Sequence, residues 1–132
     1  FARGAAWFGT TRSLPKDVRA AYAGVYDGWD QAISTLRFMQ DIPLDAGDRA
    51  MPIVQAAAAA LPGYADRPAF IGWGLRDFVF DRHFLDGFRK ALPRAIVRDF
   101  EDAGHYVLED KHEVLVPAIR RFLDAHPLAD AA

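Results

Sequence analysis

Cysteine is absent from the sequence. Disulfides and thiolate metal sites are therefore excluded, and the composition fits a cytoplasmic protein. No apolar run approaches the ~20 residues that a membrane-spanning helix needs. The opening Phe1-Ala2-Arg3-Gly4 has none of the features of a secretory signal. Positive charge is not in excess either: 16 Lys and Arg stand against 18 Asp and Glu, a formal net charge of −2. That balance argues against nucleic acid or an anionic membrane as partner. Only two serines occur, Ser13 and Ser34. No two histidines stand at metal-ligand spacing with an acid, so neither a metal nor another cofactor is expected. Gly72-Trp73-Gly74 lacks the third glycine and the helix phase of a dinucleotide-binding turn. An initial Met is missing too, which fits a fragment or a processed product.

What is present divides into two stretches and a tail. Residues 1–66 carry helical punctuation and no strand. Ser13 and Pro15 mark a helix start, with Ser13 as the capping side chain and Asp17 close behind. Val18, Tyr22, Val25 and Tyr26 then recur at helical spacing, and Asp27-Gly28 ends the run. A second helix is predicted over 29–38. A third is capped by Asp48, with Pro52 in its first turn, and is propagated by the alanines at 56–60. Leu61-Pro62-Gly63 stops it.

From residue 67 the pattern changes. Ala69-Phe70-Ile71-Gly72-Trp73 is short and apolar on both faces, as in a strand covered by helices. Residues 81–92 read as a helix with Phe84, Leu85 and Phe88 as its inner stripe, stopped by Pro93. Residues 95–100 form a second strand, polar enough for a sheet edge. A last helix runs from about 112 to 125, and residues 127–132 are a tail. The fold class is therefore α/β: a β-α-β-α unit with two parallel strands, preceded by helices. Two strands cannot bury all their faces, so the rest of the sheet is expected upstream of Phe1 in a larger domain.

Two polar residues occupy the places where parallel sheets put their chemistry, just beyond the strand ends. Asp77 follows the first strand in Gly74-Leu75-Arg76-Asp77. His105 follows the second in Asp102-Ala103-Gly104-His105-Tyr106, where Gly104 gives the backbone freedom to turn. A histidine held by a carboxylate at one ring nitrogen is a general base at the other. Position alone equally admits a plain helix-capping aspartate and a satisfied polar histidine. Asp81 is the better cap for the following helix. The rival acids Asp99, Glu101 and Asp102 read as surface or turn residues. Trp7, Trp29, Phe38, Met39, Phe78, Phe80 and Tyr106 either line an apolar pocket or pack in a core. Phe78 and Tyr106 adjoin Asp77 and His105 and so suit a pocket best. His83, His112 and His126 read as solvated.

The stretches Phe70-Ile71-Gly72-Trp73-Gly74-Leu75-Arg76-Asp77 and Asp102-Ala103-Gly104-His105-Tyr106-Val107-Leu108-Glu109-Asp110 resemble the acid and histidine segments of α/β-hydrolases. The likeness is to the haloalkane dehalogenase-like branch, and over nearly the whole chain to the β-lactone decarboxylases of bacterial long-chain olefin biosynthesis. Ala21-Tyr22-Ala23-Gly24-Val25-Tyr26 and Arg37-Phe38-Met39-Gln40-Asp41-Ile42-Pro43-Leu44 resemble that branch's helical cap and its return to the core.

The resemblance implies a C-terminal part of an α/β-hydrolase fold, with 1–66 as cap segment and 67–126 as core. It implies a nucleophile–His–acid triad with an aspartate nucleophile that forms a covalent ester. Asp77 would be the acid and His105 the base. A small apolar substrate would meet Phe78, Tyr106, Trp29 and Phe38. The sequence holds no strand-to-helix elbow bearing a Ser or Asp, and the oxyanion-hole loop is missing as well. The chain alone is therefore expected to be inactive. The reaction implied is the opening and decarboxylation of a long-chain β-lactone to an alkene. Haloalkane dehalogenation and epoxide or ester hydrolysis are the alternatives. A non-catalytic role remains open as well, with the sheet edge joining a missing N-terminal half or a second copy.

Overall fold

Two parallel strands and six α-helices make up the computed structural model, which describes residues 2–26 and 28–127. The order is α1 (Ala2–Phe8), α2 (Lys16–Gly24), α3 (Trp29–Gln40), α4 (Met51–Ala60), a 3₁₀ turn (Leu61–Tyr64), β1 (Phe70–Gly74), α5 (Arg82–Ala91), β2 (Ile96–Phe100) and α6 (Val107–Ala125). Asp27 and the tail beyond Pro127, to which the sequence assigns a helix break and a terminus, lie outside the described residues.

β1 and β2 pair in parallel, from Phe70 opposite Ile96 to Gly74 opposite Phe100. The ladder continues where the amide of Leu75 donates to the Phe100 carbonyl at 2.8 Å. α5 connects the strands. Asp81 caps it, its Oδ1 accepting the His83 amide at 2.8 Å, because a short carboxylate just outside the first turn can reach an unpaired helical N–H. Of the expected inner stripe Phe84, Leu85 and Phe88, only Leu85 is buried; Phe84 and Phe88 stay exposed. Strands lie about 4.8 Å apart and a helix is about 10 Å wide, so two strands cannot cover a full helical face.

α6 packs on β1. Leu115 is buried directly over Gly72, where a Cβ would come 3.0 Å from the leucine's Cδ2. Phe122 meets Phe70 with ring centres 5.8 Å apart. This helix begins five residues before the predicted start near His112. Its first turn is separated from the remainder by Lys111, whose φ of −134° and ψ of 26° are not helical. The helical periodicity legible in the sequence is that of the segment after the break. Pro117 sits inside the second segment, where it removes one main-chain donor.

In the helical first part, α1 has no counterpart in the sequence pattern; it packs against α2. Two expected caps are also corrected. α2 starts after Pro15 with no side-chain cap, so Ser13 does not serve. α4 starts after Ala50, also uncapped by a side chain. Asp48 instead accepts the amides of Leu44 and Asp45 at 2.6 and 2.7 Å, closing the preceding loop. Asp side chains choose between cap and turn by whichever free amides lie nearer.

Among the described residues the buried apolar side chains are few: Leu14, Leu85, Ala103 and Leu115. The chain exposes 10,063 Å², where a compact monomer of 14.7 kDa is expected to expose about 7,000 Å². Each strand has a single partner among the described residues, so each presents an open edge.

Candidate active site

Parallel pairing puts the carboxyl ends of β1 and β2 side by side, and the loops that leave them are bound to each other. The amide of Arg76 donates to the Ala103 carbonyl at 2.9 Å, and its Nε donates to the Glu101 carbonyl at 2.9 Å. Gly74 makes this approach possible. A Cβ there would overlap the carbonyl oxygens of Ala103 and Gly104.

These loops deliver Asp77 and His105 to one another. His105 Nδ1 lies 2.9 Å from Asp77 Oδ2. The other carboxylate oxygen of Asp77 accepts the amides of Val79 and Phe80 at 2.8 and 2.9 Å. The Asp77 side chain is only 9% exposed, that of His105 29%. With Asp77 ionised, Nδ1 carries the proton and donates it, which leaves Nε2 as the basic nitrogen. The aspartate is thus fixed by two amides and the imidazole by that aspartate, while the histidine side chain stays partly open to solvent.

The His105 loop is held from behind by a carboxylate outside the set of acids that the sequence marks. Asp110 is buried. It accepts the amide of Gly104 at 2.7 Å, that of Thr11 at 3.0 Å and that of Arg12 at 3.2 Å. Nearby, the Tyr106 amide donates to the Gly9 carbonyl at 2.7 Å, and the Thr11 hydroxyl donates to the Asp102 carbonyl at 2.7 Å. The segment from Gly9 to Arg12 thus straps the histidine loop. The expected role of Gly104 changes accordingly. No described glycine has a positive φ. Gly104 is needed because a Cβ there would come within 2.8 Å of the Gly9 carbonyl oxygen. An acid at the start of an amphipathic helix was the available signal for Asp110.

Around the imidazole stand Tyr106, Phe80 and Phe78, with ring centres 5.5, 5.7 and 6.1 Å from that of His105. Phe78 and Tyr106 are the two pocket residues expected beside the pair, and Phe80 joins them. Trp29 and Phe38 are exposed on α3 and form none of these ring contacts. Two of the rival acids are engaged elsewhere. Asp99 is held below its ordinary pKa by the Arg89 guanidinium at 2.7 Å, and Asp102 below its own by the Lys111 ammonium. Ser34 lies on the exposed α3, its hydroxyl turned to the Gln31 carbonyl. Among the described residues no three His, Asp or Glu side chains converge to hold a metal ion, and no helix is long and apolar enough to cross a membrane.

Beside Tyr106 lies a cleft of about 570 Å³ between α2 and the start of α6. The Tyr22 ring stacks on that of Tyr106 at 5.7 Å, and its hydroxyl donates to Glu109 Oε1 at 2.7 Å. That hydrogen bond to a carboxylate pushes the Tyr22 pKa up to about 12.

No family model matches the chain. It is similar to two curated proteins, each named cis-3-alkyl-4-alkyloxetan-2-one decarboxylase. The protein from Xanthomonas campestris pv. campestris is 62% identical over 128 residues, which is 97% of this chain and 43% of that protein. The one from Shewanella oneidensis is 46% identical over 120 residues, or 90% of this chain and 38% of that protein. The chain therefore spans less than half the length of these relatives.

Proposed function

We propose that this chain supplies the acid and the base of a β-lactone decarboxylase with an α/β-hydrolase fold. Asp77 is the orienting acid and His105 the base. The nucleophile, an aspartate by the haloalkane dehalogenase-like resemblance, belongs to polypeptide beyond these residues, as does the oxyanion hole. The observation that carries the reading is the 2.9 Å contact between His105 Nδ1 and an Asp77 whose second oxygen is held by two amides. The name shared by both relatives supports the substrate class. Their greater length supports a larger working unit.

The chemistry is balanced without a co-reactant. In an oxetan-2-one the ring oxygen–C4 and C2–C3 bonds break, the C3=C4 bond forms and CO₂ departs. No water is consumed and nothing is oxidised or reduced. His105 Nε2 is the atom placed to exchange a proton with the reacting group, and Asp77 supports the imidazolium formed. Phe78, Phe80 and Tyr106 keep that position apolar, which strengthens the His–Asp interaction. Dehalogenation, epoxide opening and ester hydrolysis would use the same pair but consume water.

The test is product analysis with the full-length polypeptide and a cis-3,4-dialkyl oxetan-2-one. Alkene and CO₂ are expected in equal amounts. Halide, diol or hydroxy acid from the corresponding substrates would point to the alternatives. Asp77→Asn and His105→Gln should each lower kcat by about 10⁴-fold. Turnover near that of the unaltered enzyme in either variant would show that the pair is neither its acid nor its base.

A further inference from the structure

The cleft beside Tyr106 is not needed for the proton chemistry, yet its shape and lining are specific. One wall is a single face of α2, where Val18, Ala21, Tyr22 and Val25 succeed one another at the three- and four-residue spacing of neighbours on a helix. Ala5 of α1 and Tyr26 extend this wall, and Tyr106 forms the opposite one. Two polar groups that border the cleft, the Tyr22 hydroxyl and the Glu109 carboxylate, are bonded to each other. The rest of the lining is methyl groups and aromatic rings, with the hydroxyls of Tyr26 and Tyr106 as its other side-chain polar atoms. The volume of about 570 Å³ falls within the ~300–1,000 Å³ of small-molecule sites. The cleft also reaches the chemistry, because the Tyr106 ring that lines it stands 5.5 Å from the His105 ring.

We infer that this cleft binds one alkyl arm of the β-lactone, with the four-membered ring held at His105 and the arm running past Tyr106 along the Val18–Ala21–Val25 face of α2. The inference rests on the reading of the chain as part of a β-lactone decarboxylase. It goes further in naming where the enzyme measures hydrocarbon length. A charged or strongly polar ligand is disfavoured, since the carboxylate nearest the cleft is already bonded. A linear alkyl chain suits it because each methylene transferred from water into such a site improves binding about four-fold. Selectivity for arm length should therefore reside in α2 and not in the acid–base pair.

The test is a series of cis-3,4-dialkyl oxetan-2-ones in which the C3 and C4 arms are lengthened separately from methyl to decyl. Alkene release is measured with the full-length polypeptide. In the unaltered enzyme kcat/KM should rise with the length of one arm and then level off. Ala21→Trp plugs the cleft from an exposed helix position and should lower the decyl-to-methyl ratio of kcat/KM for that arm at least ten-fold. Ala21→Leu, a smaller plug, should lower it a few-fold and carries the same test where the tryptophan variant does not accumulate. An unchanged ratio in the variants, whatever happens to absolute rates, overturns the inference while leaving the function intact. Failure of the unaltered enzyme to release alkene from any member overturns the function itself, and the inference with it.

Discussion

Tyr22 shows how a single side chain in this chain is tuned by one neighbour. Its hydroxyl donates to Glu109, and ionising the phenol would place two negative oxygens 2.7 Å apart. The neutral form is therefore favoured in the fold, and the pKa rises from 10.0 to about 12. A folded-state pKa above the unfolded one means stabilisation that is complete below pH 10 and lost as pH rises from 10 towards 12. Glu109→Gln should bring the Tyr22 transition down towards that of an ordinary tyrosine. The tyrosinate absorbance lost on Tyr22→Phe, followed against pH with and without Glu109→Gln, measures this. Coincident curves would mean that Glu109 does not set the titration. At the same scale, Asp77 differs from the neighbouring acids by its partners. Asp99 and Asp102 meet side-chain cations, whereas Asp77 meets two amides and an imidazole. That arrangement makes the histidine the one side-chain partner recorded for this carboxylate.

Among elements, the start of α6 carries an unusual share of structure. Its first turn supplies Glu109 to the cleft and Asp110 to the strap on the histidine loop, and the break at Lys111 follows directly. Without that break a single helix would continue through the turn. With it, the short first turn aims Asp110 inward while the later segment lays Leu115 on β1. Asp110→Ala should orphan the amides of Thr11, Arg12 and Gly104 and cost about 3 kcal/mol. Urea unfolding of the full-length polypeptide is the measurement. An unchanged midpoint would show that the strap does not depend on this carboxylate. Activity should fall as well, because the loop that aims His105 is tied down there. The elements also show why caps were unevenly legible. Asp81 sits one residue before its helix and accepts the amide of His83. Ser13 and Asp48 precede helices whose start was set by Pro15 and by a loop amide pair instead.

For the whole molecule the dominant fact is exposed apolar area. The surface exceeds the expectation for a compact monomer of this mass by roughly 3,000 Å², and Trp7, Phe8, Trp29, Phe38, Leu44, Ile53 and Phe78 are among the large side chains in water. A protein does not ordinarily leave so much apolar surface uncovered. Among the described residues both outer strand edges are open in addition. Isolated in solution, the chain should self-associate as its concentration rises, with light scattering giving a mass well above 14.7 kDa. A monomer over the whole concentration range, binding no hydrophobic dye, would contradict this. The proposed decarboxylase would place this surface against further polypeptide.

By itself the sequence determined the order of elements from β1 onward, the parallel pairing and the two polar residues at the strand ends. These follow from local rules. An apolar run bounded by turns makes a strand, a helix between two strands makes them parallel, and parallel strands bring their carboxyl ends to one edge. Tertiary structure alone decided what no local rule encodes. It placed Asp110 beneath the histidine loop and required glycine at 74 and 104, where carbonyl oxygens of distant segments leave no room for a Cβ. It also stacked Tyr22 on Tyr106 beside His105. The strap from Thr11 and Arg12 to Asp110, the close approaches at Gly74 and Gly104 and the stacked tyrosines all join residues separated by tens of positions, and such contacts depend on how the segments meet and not on the residues that flank them.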